Sequence, residues 1–212
     1  MKYKNIPSIT INRLSLYYRC IERIIETEEK KEFKIISSSK IAEMTGFNPA
    51  QIRKDLAYFG EFGKRGIGYP LVELSRELRK ILGLDKKWSI IIAGGGNLGQ
   101  ALARYKGFKK KGFIIKGVFD NDPLKINKKI DHTLIYDIEE IEKFIRMNKI
   151  KIGLLTVPAS FAQEVAEKMV SGGIKSILNF APIHITLPPE IKIHNVDLSV
   201  ELEELTYYLS SR

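Results

Sequence analysis

Cysteine is nearly absent from this chain: Cys20 stands alone among 212 residues. That excludes an internal disulfide framework and a cysteine-rich metal site. Cys20 falls in an apolar helical pattern and reads as a core residue, since free cysteine is among the most buried types. Histidine is scarce as well. His132, His184 and His194 stand outside any recognisable Asp/Arg constellation and read as surface or loop residues. Long apolar runs are lacking: no stretch approaches the ~18 residues of a membrane-spanning helix. The polar, Pro-containing N-terminus has no apolar signal region, so a cytoplasmic protein is expected. Internal repeats and low-complexity segments are missing too.

Acidic residues fall short of basic ones, 25 against 35, for a net charge of +10. The imbalance is uneven, because residues 1–88 hold 18 basic and 11 acidic side chains. Charge of this kind speaks of partners rather than of fold. It suits a first half that meets nucleic acid, with a solvated basic surface as the bland alternative. The 44% hydrophobic content is enough to bury a core, and the length suits two small domains or one large one.

What the chain does have is a glycine pattern. Trp88–Ala93 is a short apolar run, and Gly94, Gly96 and Gly99 follow it at G-x-G-x-x-G spacing, with Gly95, Asn97 and Leu98 between them. Gly94 permits the tight turn from strand to helix, Gly96 lets a pyrophosphate approach the backbone, and Gly99 lets the helix pack closely on the sheet. The helix starting near Asn97 then points free N–H groups and its positive dipole end at the phosphates. Leu98, Ala101, Leu102 and Tyr105 fall at helical spacing. A second apolar strand, Phe113–Phe119, ends on Asp120, which lies 21 residues beyond Gly99. A carboxylate there accepts hydrogen bonds from ribose hydroxyls and repels a 2′-phosphate, favouring NAD(H) over NADP(H).

The first half has a different pattern. Residues 8–30 read as a helix with Leu14, Tyr17, Tyr18, Ile21, Ile24 and Ile25 on one stripe, ending in the charged run Glu26–Lys31. Ser37–Ser39 offer capping hydroxyls for a short helix, Lys40–Met44, which Gly46 breaks. Asn48 caps and Pro49 opens a second helix to about Phe59. Two short helices around a Gly-containing turn make a helix-turn-helix. The second carries Gln51, Arg53, Lys54 and Tyr58 around the apolar Ile52 and Leu56, the arrangement that major-groove reading requires. Residues 60–69 then hold four glycines around Lys64 and Arg65 and read as a β-hairpin wing whose tip meets phosphates or a narrow minor groove.

Pro70–Leu82 is amphipathic and is expected to bridge two domains, with the boundary in Gly83–Lys87. Beyond Asp120, helices over 138–147 and 160–171 alternate with strands over 152–157, 176–180 and 191–196, which indicates a doubly wound parallel sheet. Ser199–Leu209 carries Leu202, Leu205 and Leu209 at helical spacing, and a partner subunit is a natural place to bury that face.

Several stretches together resemble one family, the Rex redox-sensing transcriptional repressors, over almost the whole chain. They include Arg13-Leu14 with Tyr17-Tyr18-Arg19, Gln51–Leu56 with Tyr58-Phe59-Gly60, and Lys64–Tyr69. Gly94–Leu98, Phe119–Pro123, Leu155–Ala159, Ile177–Pro182 and Val196–Ser199 complete the set. The resemblance implies a homodimer of three parts: a winged helix over 1–84, a Rossmann-like α/β domain over 85–196, and a C-terminal helix over 197–212 exchanged between subunits. It implies a repressor that binds palindromic operators when NADH is scarce and lets go when NADH binds. On this chain Gln51, Arg53, Lys54, Tyr58, Lys64 and Arg65 would face DNA. Gly94–Gly99 and Asp120 would hold the dinucleotide, and Thr156, Val157 and Pro158 would line the path to the nicotinamide. Arg19, Tyr105 and Asp197 would form a polar relay, and no catalytic residue or metal is implied. Leu198 stands where some family members carry an aromatic residue.

The expected discrimination is by charge. Oxidised nicotinamide is a cation, costly to bury unpaired, whereas the reduced ring is neutral and suits an apolar pocket such as Leu198 and Pro158 could form. Two other readings remain open. An NAD-dependent oxidoreductase with an attached helical domain needs an acid–base residue near the nicotinamide, for which the three histidines are the candidates. A CoA-binding domain shares the glycine-turn sheet, but Asp120 suits a ribose diol better than a phosphorylated ribose.

Overall fold

The computed structural model describes residues 6–27, 35–60, 62–63 and 67–210. The chain separates into two compact units, one running to Lys86 and the other starting at Lys87.

In the first unit, α1 (Ser8–Thr27), α2 (Ser38–Thr45), α3 (Pro49–Ala57) and α4 (Leu71–Ile81) surround one core. Leu14, Tyr17 and Ile21 of α1 are fully buried against Ile41, Ile52, Leu56, Leu74 and Leu78. Ile25, expected on that stripe, is 37% exposed, so the buried stripe narrows towards the helix end. The cap chemistry is as the residues predict. The Ser37 hydroxyl accepts from the Lys40 N–H at 3.0 Å. Gly46, at φ +76°, ends α2 in the left-handed conformation that glycine adopts without cost. Asn48 Oδ1 accepts from the Ala50 N–H at 2.7 Å, with Pro49 at the first helical position.

At the end of the wing segment, β2 (Tyr69–Pro70) pairs antiparallel with β1 (Ile35–Ile36), a strand the sequence did not signal. Within the segment Gly68 is in a bridge, and Gly63 and Gly68 come together, since a Cβ on Gly63 would meet the Gly68 carbonyl oxygen. The expected tip, Lys64 and Arg65, lies outside the described residues.

The second unit is a seven-stranded sheet. Its strands are β3 (Trp88–Ala93), β4 (Phe113–Asp120), β5 (Lys129–Ile130), β6 (Thr133–Asp137), β7 (Ile152–Leu155), β8 (Ser176–Asn179) and β9 (Lys192–Asn195), in the order β5-β6-β4-β3-β7-β8-β9. All neighbours are parallel except β5 with β6. Leaving out β5, the order reverses at β3, the arrangement of a doubly wound dinucleotide fold. Strand alternation sends Ile91 and Ala93 to one face and Ile90 and Ile92 to the other. The first face packs α7 (Ile141–Asn148) and α8 (Ala159–Gly172), through Ile145, Ala162, Ala166 and Met169. The second packs α5 (Asn97–Arg104) and α6 (Lys106–Lys110), through Leu102, Ala103 and Phe108.

One local expectation is corrected here. Tyr105 does not extend the α5 stripe. It stands in extended backbone between α5 and α6 and is 59% exposed. Its ring lies over Gly107, where a Cβ would come within 2.4 Å of it, and meets Phe108 edge to face. The final helix, α9 (Leu198–Ser210), has no buried residue.

Candidate dinucleotide site and nucleic-acid interface

The glycine loop sits where the sheet order reverses, at the C-terminal end of β3. Gly94 has φ +104°, and its N–H donates to the Phe119 carbonyl at 2.8 Å. A Cβ on Gly94 would lie 2.6 Å from the Thr156 carbonyl oxygen, and one on Gly99 would lie on the Gly94 oxygen itself. Gly96 is the opposite case, because nothing stands within 4 Å of a Cβ built there. Two of the motif's glycines are thus required by the protein's own packing, while the third faces open space at the start of α5. Gly96 caps that helix without a side chain, and among the described residues no side chain caps its first N–H groups. A cradle of free backbone donors with room in front of it fits a diphosphate.

Asp120 is 8% exposed at the end of β4. Its Oδ2 accepts from the Gly95 N–H at 2.7 Å and its Oδ1 from the Asp122 N–H at 2.9 Å. A cation the sequence pattern does not signal stands beside it: Lys125 Nζ lies 3.3 Å from Asp120 Oδ2 and 3.5 Å from Asp122 Oδ2. The turn after β4, in which Asp122 Oδ1 accepts from the Leu124 N–H and the Asp122 carbonyl from the Lys125 N–H, both at 2.9 Å, brings the position-125 side chain back over the carboxylate. Gln100 adds a further support, its Nε2 donating to the Gly95 carbonyl at 3.1 Å.

Thr156, Val157 and Pro158 follow β7 on the other side of the reversal. The Thr156 hydroxyl is 2.9 Å from both the Ala93 and Gly94 carbonyls, so it braces the glycine loop instead of presenting a free group. Val157 packs on the core, while Pro158 is exposed ahead of α8. An open pocket of about 300 Å³ lies at the same end of the sheet, lined by Ala181, Pro182, Ile183, His184, Asn195, Val196 and Asp197. The apolar wall is therefore Ala181, Pro182, Ile183 and Val196. Leu198 is 63% exposed, and neither it nor Pro158 lines this cavity. Asn179 is fully buried beneath the loop. Its Nδ2 donates to Asn195 Oδ1 at 3.0 Å, and its Oδ1 accepts from the Ala181 N–H at 2.9 Å.

Of the three relay candidates, Asp197 lines this pocket and accepts from the Ser199 N–H at 2.9 Å, which starts α9. Tyr105 is exposed in the same unit, and no hydrogen bond joins the two among the described residues. Arg19 is exposed on α1 of the first unit.

In the first unit, Arg53 and Lys54 are exposed on α3, and Tyr58, just past its end, is 44% exposed. Arg53 Nη1 donates to Ser38 Oγ at 2.9 Å, tying the two helices of the helix-turn-helix together. Gln51 is the exception. It is half-buried, and its Nε2 donates to Asp55 Oδ1 at 2.8 Å. Asp55 is fully buried, and it also accepts from Arg13 Nε at 2.6 Å, Arg13 Nη2 at 2.7 Å and the Tyr17 hydroxyl at 2.9 Å. Burial pushes the Asp55 carboxyl up, but the bonds from Arg13, Gln51 and Tyr17 outweigh it and hold the group below its ordinary value. Burial and the Asp55 carboxylate together raise the Tyr17 hydroxyl far above its own. Nothing in the spacing of Arg13 and Asp55, 42 residues apart, announced this pair.

A helix-turn-helix unit and a dinucleotide-type sheet unit on one chain define a transcription regulator with a nucleotide sensor. Residues 5–57 match the family model for a putative DNA-binding protein N-terminus, and residues 85–183 match the CoA binding domain model. The redox-sensing transcriptional repressor Rex of Desulfitobacterium hafniense is 48% identical over 212 residues, spanning 100% of this chain and 99% of its own. That of Pelotomaculum thermopropionicum is 50% identical over 209 residues, spanning 99% and 96%. The solved structure of RSP, a Rex-family repressor, with β-NAD⁺ and operator DNA aligns at TM-score 0.92 and 42% identity, covering 98% of this chain and 94% of that one. RSP with β-NADH aligns at 0.87 and 41%, covering 98% and 96%. The chain belongs to the Rex family of redox-sensing transcriptional repressors. Its relatives are named as repressors, not as enzymes.

Proposed function

We propose that this chain is a cytoplasmic homodimeric repressor that holds palindromic operator DNA when NADH is scarce and releases it when NADH binds. The observation that carries the reading is the Gly94–Gly99 cradle, open at Gly96 and flanked by Asp120, on a chain that also presents a capped helix-turn-helix. The backbone N–H groups of Gly96, Asn97, Leu98 and Gly99 hold the diphosphate. Gly94 and Gly95, whose own N–H groups donate to the Phe119 carbonyl and to Asp120, shape the loop beneath it. Asp120 takes the ribose hydroxyls on the lone pairs its own backbone bonds leave free. Thr156 keeps the loop in shape, and Val157 and Pro158 lead to the pocket at Ala181–Ile183. Arg53, Lys54, Tyr58, Lys64 and Arg65 face DNA, with Gln51 orienting through Asp55.

The redox signal is the charge of one ring. A pocket walled by Ala181, Pro182, Ile183 and Val196 suits the neutral reduced ring, and Asp197, whose Oδ1 accepts from the Ser199 N–H, is the one carboxylate on its lining. In this reading Arg19, Tyr105 and Asp197 pass the state of that pocket to the DNA-binding unit, and α9 is exchanged between subunits. The part of the chain assigned to DNA runs over 1–84, the sensor over 85–196 and the exchanged helix over 197–212.

An anisotropy titration on a palindromic operator, with NAD⁺ or NADH added in parallel, tests it. Release by NADH alone is expected. If DNA never binds, or neither nucleotide changes binding, the oxidoreductase and CoA readings are reopened.

A further inference from the structure

The edge of the sheet opposite the glycine loop carries a row of lysines. Lys87 directly precedes β3, Lys111 stands two residues before β4, Lys151 directly precedes β7, Lys175 directly precedes β8, and Lys192 opens β9. The spatial order β4-β3-β7-β8-β9 makes these five neighbours in sequence along one edge. Backbone bonds join their strands there. The Lys175 N–H donates to the Lys151 carbonyl at 2.9 Å, and the Lys192 N–H to the Lys175 carbonyl at 3.0 Å. All five are exposed. Asp85 and Glu190 are the carboxylates within two residues of them in sequence. No ion pair reaches Lys87, Lys151, Lys175 or Lys192 among the described residues.

Neutralising helix C-termini accounts for part of this row, because Lys151 Nζ donates to the Gly173 carbonyl at the end of α8, at 3.1 Å. It does not account for Lys192, since residues 180–191 contain no helix. Lys151 and Lys175 stand opposite each other, just before the register pair Ile152–Ser176, where like charges repel. Lys192, in register with Ser176, lies one residue further along, and a polyanion along this edge would relieve that repulsion.

We propose that this edge is a second, sequence-independent DNA surface, meeting backbone phosphates of duplex beyond the operator palindrome. Lysine is a point charge suited to phosphate and carries no base code. No exposed aromatic stands in the row, as a single-stranded ligand would want for stacking. Five strands about 4.8 Å apart span roughly 19 Å, comparable to about five or six phosphates at ~3.4 Å of axial rise each. The proposal rests on the chain being a DNA-binding repressor, and its test separates the two.

The full-length protein would be titrated with a minimal palindromic operator and with the same operator extended by ~15 base pairs of unrelated sequence on each side. The triple variant Lys151→Gln/Lys175→Gln/Lys192→Gln is compared with the matched-charge control Lys128→Gln/Lys129→Gln/Lys143→Gln. Thermal unfolding and NADH binding report that each variant is folded. On the extended fragment the row variant is expected to bind at least tenfold more weakly, with a salt slope shallower by about 0.9 for each phosphate no longer neutralised. On the minimal operator, row variant and control should agree. Equal weakening on both fragments, or equal weakening by both variants, would mean a long-range field and overturn the local surface. Unchanged binding of the row variant to the extended fragment overturns it too. Failure of the wild type to bind either fragment would instead overturn the repressor reading.

Discussion

Asp55 is a fully buried carboxylate met by four donor groups from Arg13, Tyr17 and Gln51. Removing one partner of such a pair leaves an uncompensated buried charge, at a cost of about 3–5 kcal/mol. Arg13→Ala is therefore expected to lower the stability of the first unit by about that much, read as a fall in urea midpoint, with NADH binding by the second unit intact. The folded carboxyl titrates below its ordinary value. Its stabilisation is present above the unfolded value and is lost as pH falls through the folded one. Acid unfolding followed in the wild type and in Asp55→Asn should show the wild type losing this increment only at the acid end. The asparagine variant should be weaker near neutrality and flatter in acid. At the glycine loop, Gly96→Ala meets open space and Gly99→Ala meets the Gly94 oxygen. Gly99→Ala is expected to destabilise the second unit, by about 1–3 kcal/mol or more as for other overpacked sites. Gly96→Ala should instead spare its thermal midpoint and weaken NADH binding. Equal midpoints for the two would sink the distinction.

Among the elements, α9 stands out, because Leu198, Val200, Leu202, Leu205, Tyr208 and Leu209 are all more than half exposed. A 13-residue helix without tertiary burial is marginal in water, so exchange with a partner subunit is the reading that gives it a core. Leu202→Glu with Leu205→Glu is expected to convert dimer to monomer in light scattering while the helix-turn-helix core stays folded; an unchanged mass would argue against exchange. The elements legible from sequence were those with strong periodicity or caps, namely α1, α4, β3, β4, and the pair α2–α3 with Ser37, Gly46 and Asn48. Two-residue strands such as β1, β2 and β5 are too short to show a period, and only the fold pairs them. The break at Tyr105 was hidden because its spacing continues α5, and what turns the chain is the fit of its ring over Gly107. The glycine loop was legible because its spacing encodes its own packing. Lys125, Gln100, Asn179 and the Arg13–Asp55 pair were not, since each acts through a neighbour that only tertiary structure supplies.

At the scale of the whole molecule, the repressor reading requires two ligands that compete through one equilibrium. If NADH lowers operator affinity by some factor, operator DNA must lower NADH affinity by the same factor, because coupling between sites is reciprocal in free energy. Couplings of this kind are typically about 1–3 kcal/mol, or roughly 5–150-fold. NAD⁺, whose cationic ring gains nothing from the pocket's apolar wall, should show a coupling near zero. The check is a pair of titrations at fixed salt: operator binding with saturating NADH or NAD⁺, and NADH binding with saturating operator. Salt must be held constant because every lysine or arginine on a phosphate makes the DNA arm ionic-strength dependent, and the chain's +10 charge makes that dependence steep. Equal factors in the two arms place DNA and dinucleotide on the same two-state switch. Release of DNA by NADH without a matching loss of NADH affinity would mean that the nucleotide acts through assembly or unfolding, and the sensor reading would fall.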